Sequence, residues 1–129
     1  MFDYTKDTVK TREEAIKSLK EELADVKFGV LWELDMTDTL QQKGQDFDKP
    51  ITILEVCNPG AAAEVLKQDM RIGYLLPCKI AVYEDNGTTR IGMPKPTVLL
   101  GLTGREDILQ FAGEIEETLK GVIDRAAAA

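Results

Sequence analysis

Apolar residues along this chain switch between two periods, and the switches divide it into helices and strands. Thr11 with Glu14 three residues later forms a capping-box signature. Behind it Ile16, Leu19, Leu23 and Val26 recur at helical spacing, predicting a helix over about 12–26. From Lys27 the period falls to two. Phe28, Val30, Trp32 and Leu34 alternate against Lys27, Gly29, Glu33 and Asp35, predicting a strand with one apolar face, although Leu31 interrupts the polar side. Residues 36–49 are polar, with Leu40 and Phe47 as apolar anchors and Gly44 as a stop, and read as a short helix plus loop.

The next strand places Ile51, Ile53 and Cys57 on one face and Leu54 and Val56 on the other, which predicts cover on both sides. Asn58 as N-cap and Pro59 at the first helical position then open a helix carrying Ala62, Val65, Leu66 and Met70 and ending near Gly73. Leu75 to Asp85 reads as a long strand with Cys78, Ile80 and Val82 on its core face. Asn86-Gly87 turns it into a partner over Thr88–Met93. Pro94-Lys95-Pro96 breaks the ladder pattern, and Val98–Leu102 is too short to assign between strand and helical turn. A second capping box, Thr103 with Glu106, opens the last helix, with Ile108, Ala112, Ile115, Leu119 and Val122 along one stripe; the terminal Ala126–Ala129 is expected to fray. An early strand precedes the first helix. Together these elements predict a single α+β domain over 1–129, a mainly antiparallel sheet with helices packed against it.

Composition narrows the chemistry. With 129 residues, 43% hydrophobic and 30% charged, the chain has the profile of one globular domain, and no apolar run reaches the roughly 20 residues of a membrane helix. The N-terminus shows no secretory pattern, so the expected compartment is the cytoplasm. A formal charge of −7, with arginines scattered at 12, 71, 90, 105 and 125, argues against nucleic acid and anionic membrane as partners. The chain contains no histidine, which removes Ser-His-Asp and Cys-His catalysis and histidine metal ligands. Its one serine, Ser18, falls inside the first helix.

Three blocks, Phe28-Gly29-Val30-Leu31-Trp32-Glu33-Leu34-Asp35, Cys57-Asn58-Pro59 and Ile72-Gly73-Tyr74-Leu75-Leu76-Pro77-Cys78, occur in an order that resembles domain-of-unknown-function family 302. The resemblance implies a TATA-binding-protein-like fold class, with β-α-β layering and an inserted helix, often found as a dimer. That label describes backbone shape and implies no DNA binding. No activity, cofactor or catalytic residue comes with it. Met93-Pro94-Lys95-Pro96 departs from the acidic residue and proline that the resemblance implies after the hairpin.

The candidate ligand-binding residues are Glu55, Cys57, Asn58 and Cys78, with Cys57 and Cys78 also the candidate metal ligands. If their strands are antiparallel neighbours, the two cysteines are expected on one face at one end of the sheet; if parallel, a strand length apart. Cys57 precedes a helix whose N-terminus would favour a thiolate. The plainer reading is two buried free thiols, because local CxxC and zinc spacings are absent. Glu55 is the awkward charge on its strand face: it would reach the rim, pair with Lys79 or Arg90, or share a cavity with Glu84 as an acid or base. Glu33 and Asp35 read as the solvated side of an edge strand rather than a cation site. Asn58-Pro59-Gly60 would hold a small anion on backbone amides, or serve only as a helix cap. The leading expectation is a non-catalytic homodimeric module that binds a small ligand or a protein, at the sheet or its mouth. The alternative is a soft-metal or redox protein using Cys57 and Cys78, and a carboxylate acid/base enzyme comes third.

Overall fold

The computed structural model describes residues 1–129. In chain order it contains β1 (Asp3–Thr8), α1 (Arg12–Asp25), β2 (Gly29–Asp35), α2 (Met36–Gln42), β3 (Ile51–Cys57), α3 (Pro59–Gln68), a 3-10 turn (Met70–Tyr74), β4 (Cys78–Asp85), β5 (Thr88–Pro94), α4 (Pro96–Gly101) and α5 (Glu106–Ala127). The strands form one sheet in the order β1-β5-β4-β3-β2, with every neighbouring pair antiparallel. This is an α+β fold. No helix is long and apolar enough to cross a membrane.

Local chemistry accounts for several of the element boundaries. The first capping box forms as its sequence predicts: Glu14 N–H donates to Thr11 Oγ1 at 3.1 Å, and Thr11 N–H donates to the Glu14 carboxylate at 2.8 Å. Asn86 and Gly87 both take positive φ, +52° and +81°, as a two-residue turn matched to strand twist requires. Leu54, Val56, Ile80, Val82 and Ile91 line one sheet face and are fully buried against Leu19 and Leu23 of α1 and Leu119 and Ile123 of α5. A smaller cluster, Val65, Ile72, Leu100, Ile108 and Ala112, ties α3, the 3-10 turn and α4 to the start of α5.

The structure corrects the reading of β2 and β3. Register runs Val30 opposite Val56 and then Trp32 opposite Glu55, so a bulge absorbs Leu31. The extra residue reverses the alternation. Phe28 and Val30 pack into the core, whereas Trp32 and Leu34 turn to the face that carries Glu55 and Ile53, and Trp32 is 57% exposed. Cover on both sides of β3 is likewise overturned: Leu54 and Val56 are buried, but Ile51, Ile53 and Cys57 are only half-buried.

Differences at element ends have local causes. Met70 is exposed rather than part of a core face, because α3 stops at Gln68 and Asp69 caps the 3-10 turn by accepting from Arg71 N–H at 3.0 Å. β4 begins at Cys78 instead of Leu75, and the unassigned segment becomes α4 with Pro96 in its first turn. The second capping box does not form. Thr103 donates its hydroxyl to the Leu100 carbonyl at 2.8 Å and accepts from Arg105 N–H, so the last helix starts at Glu106. Its end does not fray at Ala126, which is fully buried. The carbonyls of Ala126 and Ala127 accept from Lys10 Nζ at 2.9 Å and from the Thr8 hydroxyl at 2.8 Å.

Candidate functional site at the strand-end mouth

Antiparallel order brings the ends of β3 and β5 and the start of β4 to one end of the sheet, where Cys57, Pro94 and Cys78 lie. The segments beyond these ends do not close tightly. Tyr74–Lys79 and the Pro94–Leu100 stretch leave a cavity of about 140 Å³ between them, walled mainly by Leu75, Leu76, Pro77, Pro96, Leu99 and Leu100, with Cys78 on its border. Proline and leucine side chains offer no hydrogen bonds to a guest, so apolar contact governs what fits. Pro94 and Pro96 both line this cavity. The departure from the acidic residue and proline implied by the family resemblance therefore falls on the cavity wall.

A void of about 20 Å³, roughly the space of one water, adjoins the cavity through Leu76, Pro77 and Cys78 and is also bordered by Cys57 and Asn58. The two cysteines are thus neighbours of one void, but not as expected from a shared face. Cys78 pairs with Val56, so the ladder places Cys57 on the opposite side of the sheet. Nor does the α3 N-terminus yield a thiolate. Burial raises the Cys57 thiol, and burial, reinforced by the neighbouring Cys57, pushes Cys78 up to about 11. Both are unpaired, and no group of three His, Cys, Asp or Glu side chains is placed to hold a metal ion. We expect both thiols to alkylate more slowly than free cysteine at pH 7.5, with the Cys78 rate still climbing above pH 9. A quenched-flow alkylation series read by mass spectrometry checks this, and a thiol reacting at the free-cysteine rate at neutral pH would contradict it.

The other candidates resolve into specific partners. Asn58 caps α3, its side-chain oxygen accepting from Ala61 N–H at 3.1 Å. Glu55 is directly opposite Lys79 and forms an ion pair with it, so its charge is met across the ladder. Arg90 instead faces Asp7 at 3.4 Å and Asp85 at 3.8 Å. Glu84 lies on the other sheet face from Glu55, excluding the shared carboxylate cavity. Glu33 pairs with Lys20 at 2.7 Å, and Asp35 caps α2 by accepting from Asp38 N–H at 3.0 Å.

Two acids, one of them next to the mouth, were not singled out by the sequence pattern. Glu116, 7% exposed, accepts from Thr97 N–H at 3.0 Å and Thr97 Oγ1 at 2.6 Å, while Lys120 Nζ lies 3.3 Å from its other oxygen. It pins the first turn of α4, hence one cavity wall, to α5. Its position four residues beyond Ala112, inside the apolar stripe, was the available signal. Asp69 accepts from Arg71 and from Arg105 Nη1 at 3.5 Å, joining the end of α3 to the approach to α5. Hydrogen bonds from the Arg71 guanidinium and backbone N–H hold its carboxyl well below the usual range.

The fold and this mouth define an α+β domain with one open sheet face and an apolar strand-end cavity. A family model described as "Domain of unknown function DUF302" matches residues 4–126. The chain belongs to that family. It is similar to a solved structure described as the crystal structure of an uncharacterized conserved protein DUF302 from Bacillus stearothermophilus, with 48% identity, a TM-score of 0.95 and 98% of each chain covered. No curated protein matches the chain.

Proposed function

We propose that this protein is a non-catalytic cytoplasmic binding module, acting as a homodimer, that takes a small uncharged apolar ligand in the strand-end cavity. The cavity itself carries the reading: about 140 Å³, with mainly apolar walls and one thiol. An enclosed apolar cavity of about 150 Å³ takes a benzene-sized guest, and this open one is of similar volume. Charged ligands fit poorly, because Lys79 at the border is already paired with Glu55. The cytoplasmic placement draws on two unpaired cysteines, which a reducing compartment keeps as thiols. The homodimer draws on the sheet face left without helix cover around Trp32.

The thiol-based reading, soft-metal or redox chemistry at Cys57 and Cys78, is favoured by the void both border. It is the weaker one. Burial keeps both thiols protonated at neutral pH, and two sulfurs fill half of a usual zinc site. Titrating the methyl-labelled protein with toluene and following methyl resonances by NMR tests the leading reading. Saturable shifts at Leu76, Leu99 and Leu100 are expected; their absence up to the solubility limit rejects it.

A further inference from the structure

We infer that the guest of the strand-end cavity carries one hydrogen-bond donor on its apolar body, a hydroxyl or ring N–H that donates to the backbone carbonyl of Lys79. This rests on the binding reading of that cavity and names the chemistry its guest needs. The β4–β5 ladder is the first reason. It runs from Asp85 opposite Thr88 to Ala81 opposite Gly92 and stops there, although β4 begins at Cys78 and β5 continues to Pro94. Two hydrogen bonds fix which way the backbone groups beyond that point face, because bonding sides alternate along a strand. Glu84 N–H donates to the Pro50 carbonyl on the β3 side at 3.0 Å, so Lys79, an odd number of residues away, presents its carbonyl to β5. Lys95 N–H donates to the Phe2 carbonyl on the β1 side at 2.9 Å, so Pro94 faces β4. The same register, continued, sets Lys79 against Pro94. Proline has no N–H, so the Lys79 carbonyl lacks its ladder donor.

Lys79 and Pro94 both line the cavity, so the gap in the ladder lies at its wall. Neighbouring donors do not fill that gap. Leu75 and Leu76 N–H donate to the Ile72 carbonyl at 2.9 and 3.0 Å, and Leu99 N–H donates to the Lys95 carbonyl at 3.2 Å. Pro77 and Pro96 have no N–H to offer, and the Cys78 amide faces β3. The Lys79 ammonium is held by Glu55, and Tyr74, 85% exposed, stands at the rim. A guest that brings a donor satisfies the carbonyl and replaces a hydrogen bond it gave up on leaving water. A wholly apolar guest of the same size covers the carbonyl and leaves it unbonded.

Phenol and toluene match in size and differ in the donor, and phenol is uncharged at neutral pH. Titrating each into the labelled native chain, with the Lys79 carbonyl carbon read through the Ile80 amide by NMR, tests the inference. Phenol is expected to bind at least as tightly as toluene and to move the Lys79 carbonyl downfield, a shift that toluene does not produce. In a cavity without a free acceptor phenol would bind about tenfold more weakly or worse, since its hydroxyl would shed water without replacement. Pro94→Ala, confirmed folded by its circular dichroism melt, supplies the missing N–H. Closing the ladder in this way should lower the phenol-to-toluene affinity ratio by about fivefold, the ratio discounting the change in cavity volume. Toluene binding with weaker phenol binding overturns the inference and leaves the apolar cavity standing, as does phenol binding that leaves the Lys79 carbonyl unmoved. An unchanged ratio in Pro94→Ala overturns it too. Phenol binding with the carbonyl shift, but no toluene binding, upholds the donor and rejects the wholly apolar guest. If neither probe binds, both readings fall.

Discussion

Replacing Leu54 with alanine is expected to destabilise the protein by about 2–5 kcal/mol, while Ile53→Ala, one residue away, should cost clearly less. Leu54 is fully buried, facing Ile80 across the ladder and the helices beneath the sheet. Its truncation removes transfer free energy and leaves a cavity that rigid neighbours close only in part. Ile53 points to the opposite, half-buried face, where solvent fills the space its side chain leaves. Urea unfolding at a protein concentration where the chain is monomeric measures both. Equal costs would mean that both faces of the sheet are covered within one chain, contrary to the layering described.

Glu116→Ala is expected to cost about 1–3 kcal/mol, because it strands the Thr97 amide and hydroxyl, and Lys120, beside a largely apolar contact. The same carboxylate makes stability depend on pH. Burial alone would raise its pKa, but the Thr97 hydrogen bonds and the Lys120 ammonium outweigh burial and hold it below the ordinary glutamate range. A carboxyl lowered on folding stabilises fully above its unfolded-state pKa of about 4.3, and that contribution disappears as pH falls through the folded-state value. Glu116→Gln should therefore unfold with a shallower loss of stability below about pH 4.3 than the native chain. If the two acid limbs superimpose, Glu116 is not the ionised anchor of α4. Since α4 supplies Leu99 and Leu100 to the mouth, the Ala variant should also weaken ligand binding there.

Much of this architecture is legible in periodicity because one helix stripe and one strand face must be buried together. α1, α2, α3 and the β4–β5 hairpin follow from their caps, Gly44 and Asn86-Gly87. What escaped depends on tertiary partners. In the sequence Leu31 shows only as an apolar residue on the polar side, and it takes the pairing with β3 to make it a bulge that turns Trp32 to the opposite face. The apolar Ile51 and Ile53 suggested helix cover that β3 has on one side only. The end of α5 is held by Thr8 and Lys10, residues distant in sequence that no terminal pattern reveals. At the candidate site, the sequence pattern found Cys57, Asn58, Cys78 and Glu55, yet their roles follow from register. A one-residue offset separates the cysteines across the sheet and places Lys79 opposite Glu55. The cavity itself is invisible in any single segment, since two stretches about 20 residues apart in sequence make its walls.

The most direct test of the proposed binding site is the toluene titration repeated on Leu99→Trp. Leu99 is half-exposed on the cavity wall, so an indole there can fill the space from the rim without entering the main core. The binding-module account predicts saturable toluene binding by the native chain and at least a tenfold loss of affinity in the variant, with the methyl spectrum otherwise native. Equal affinity in the two proteins would place the bound toluene elsewhere and contradict it.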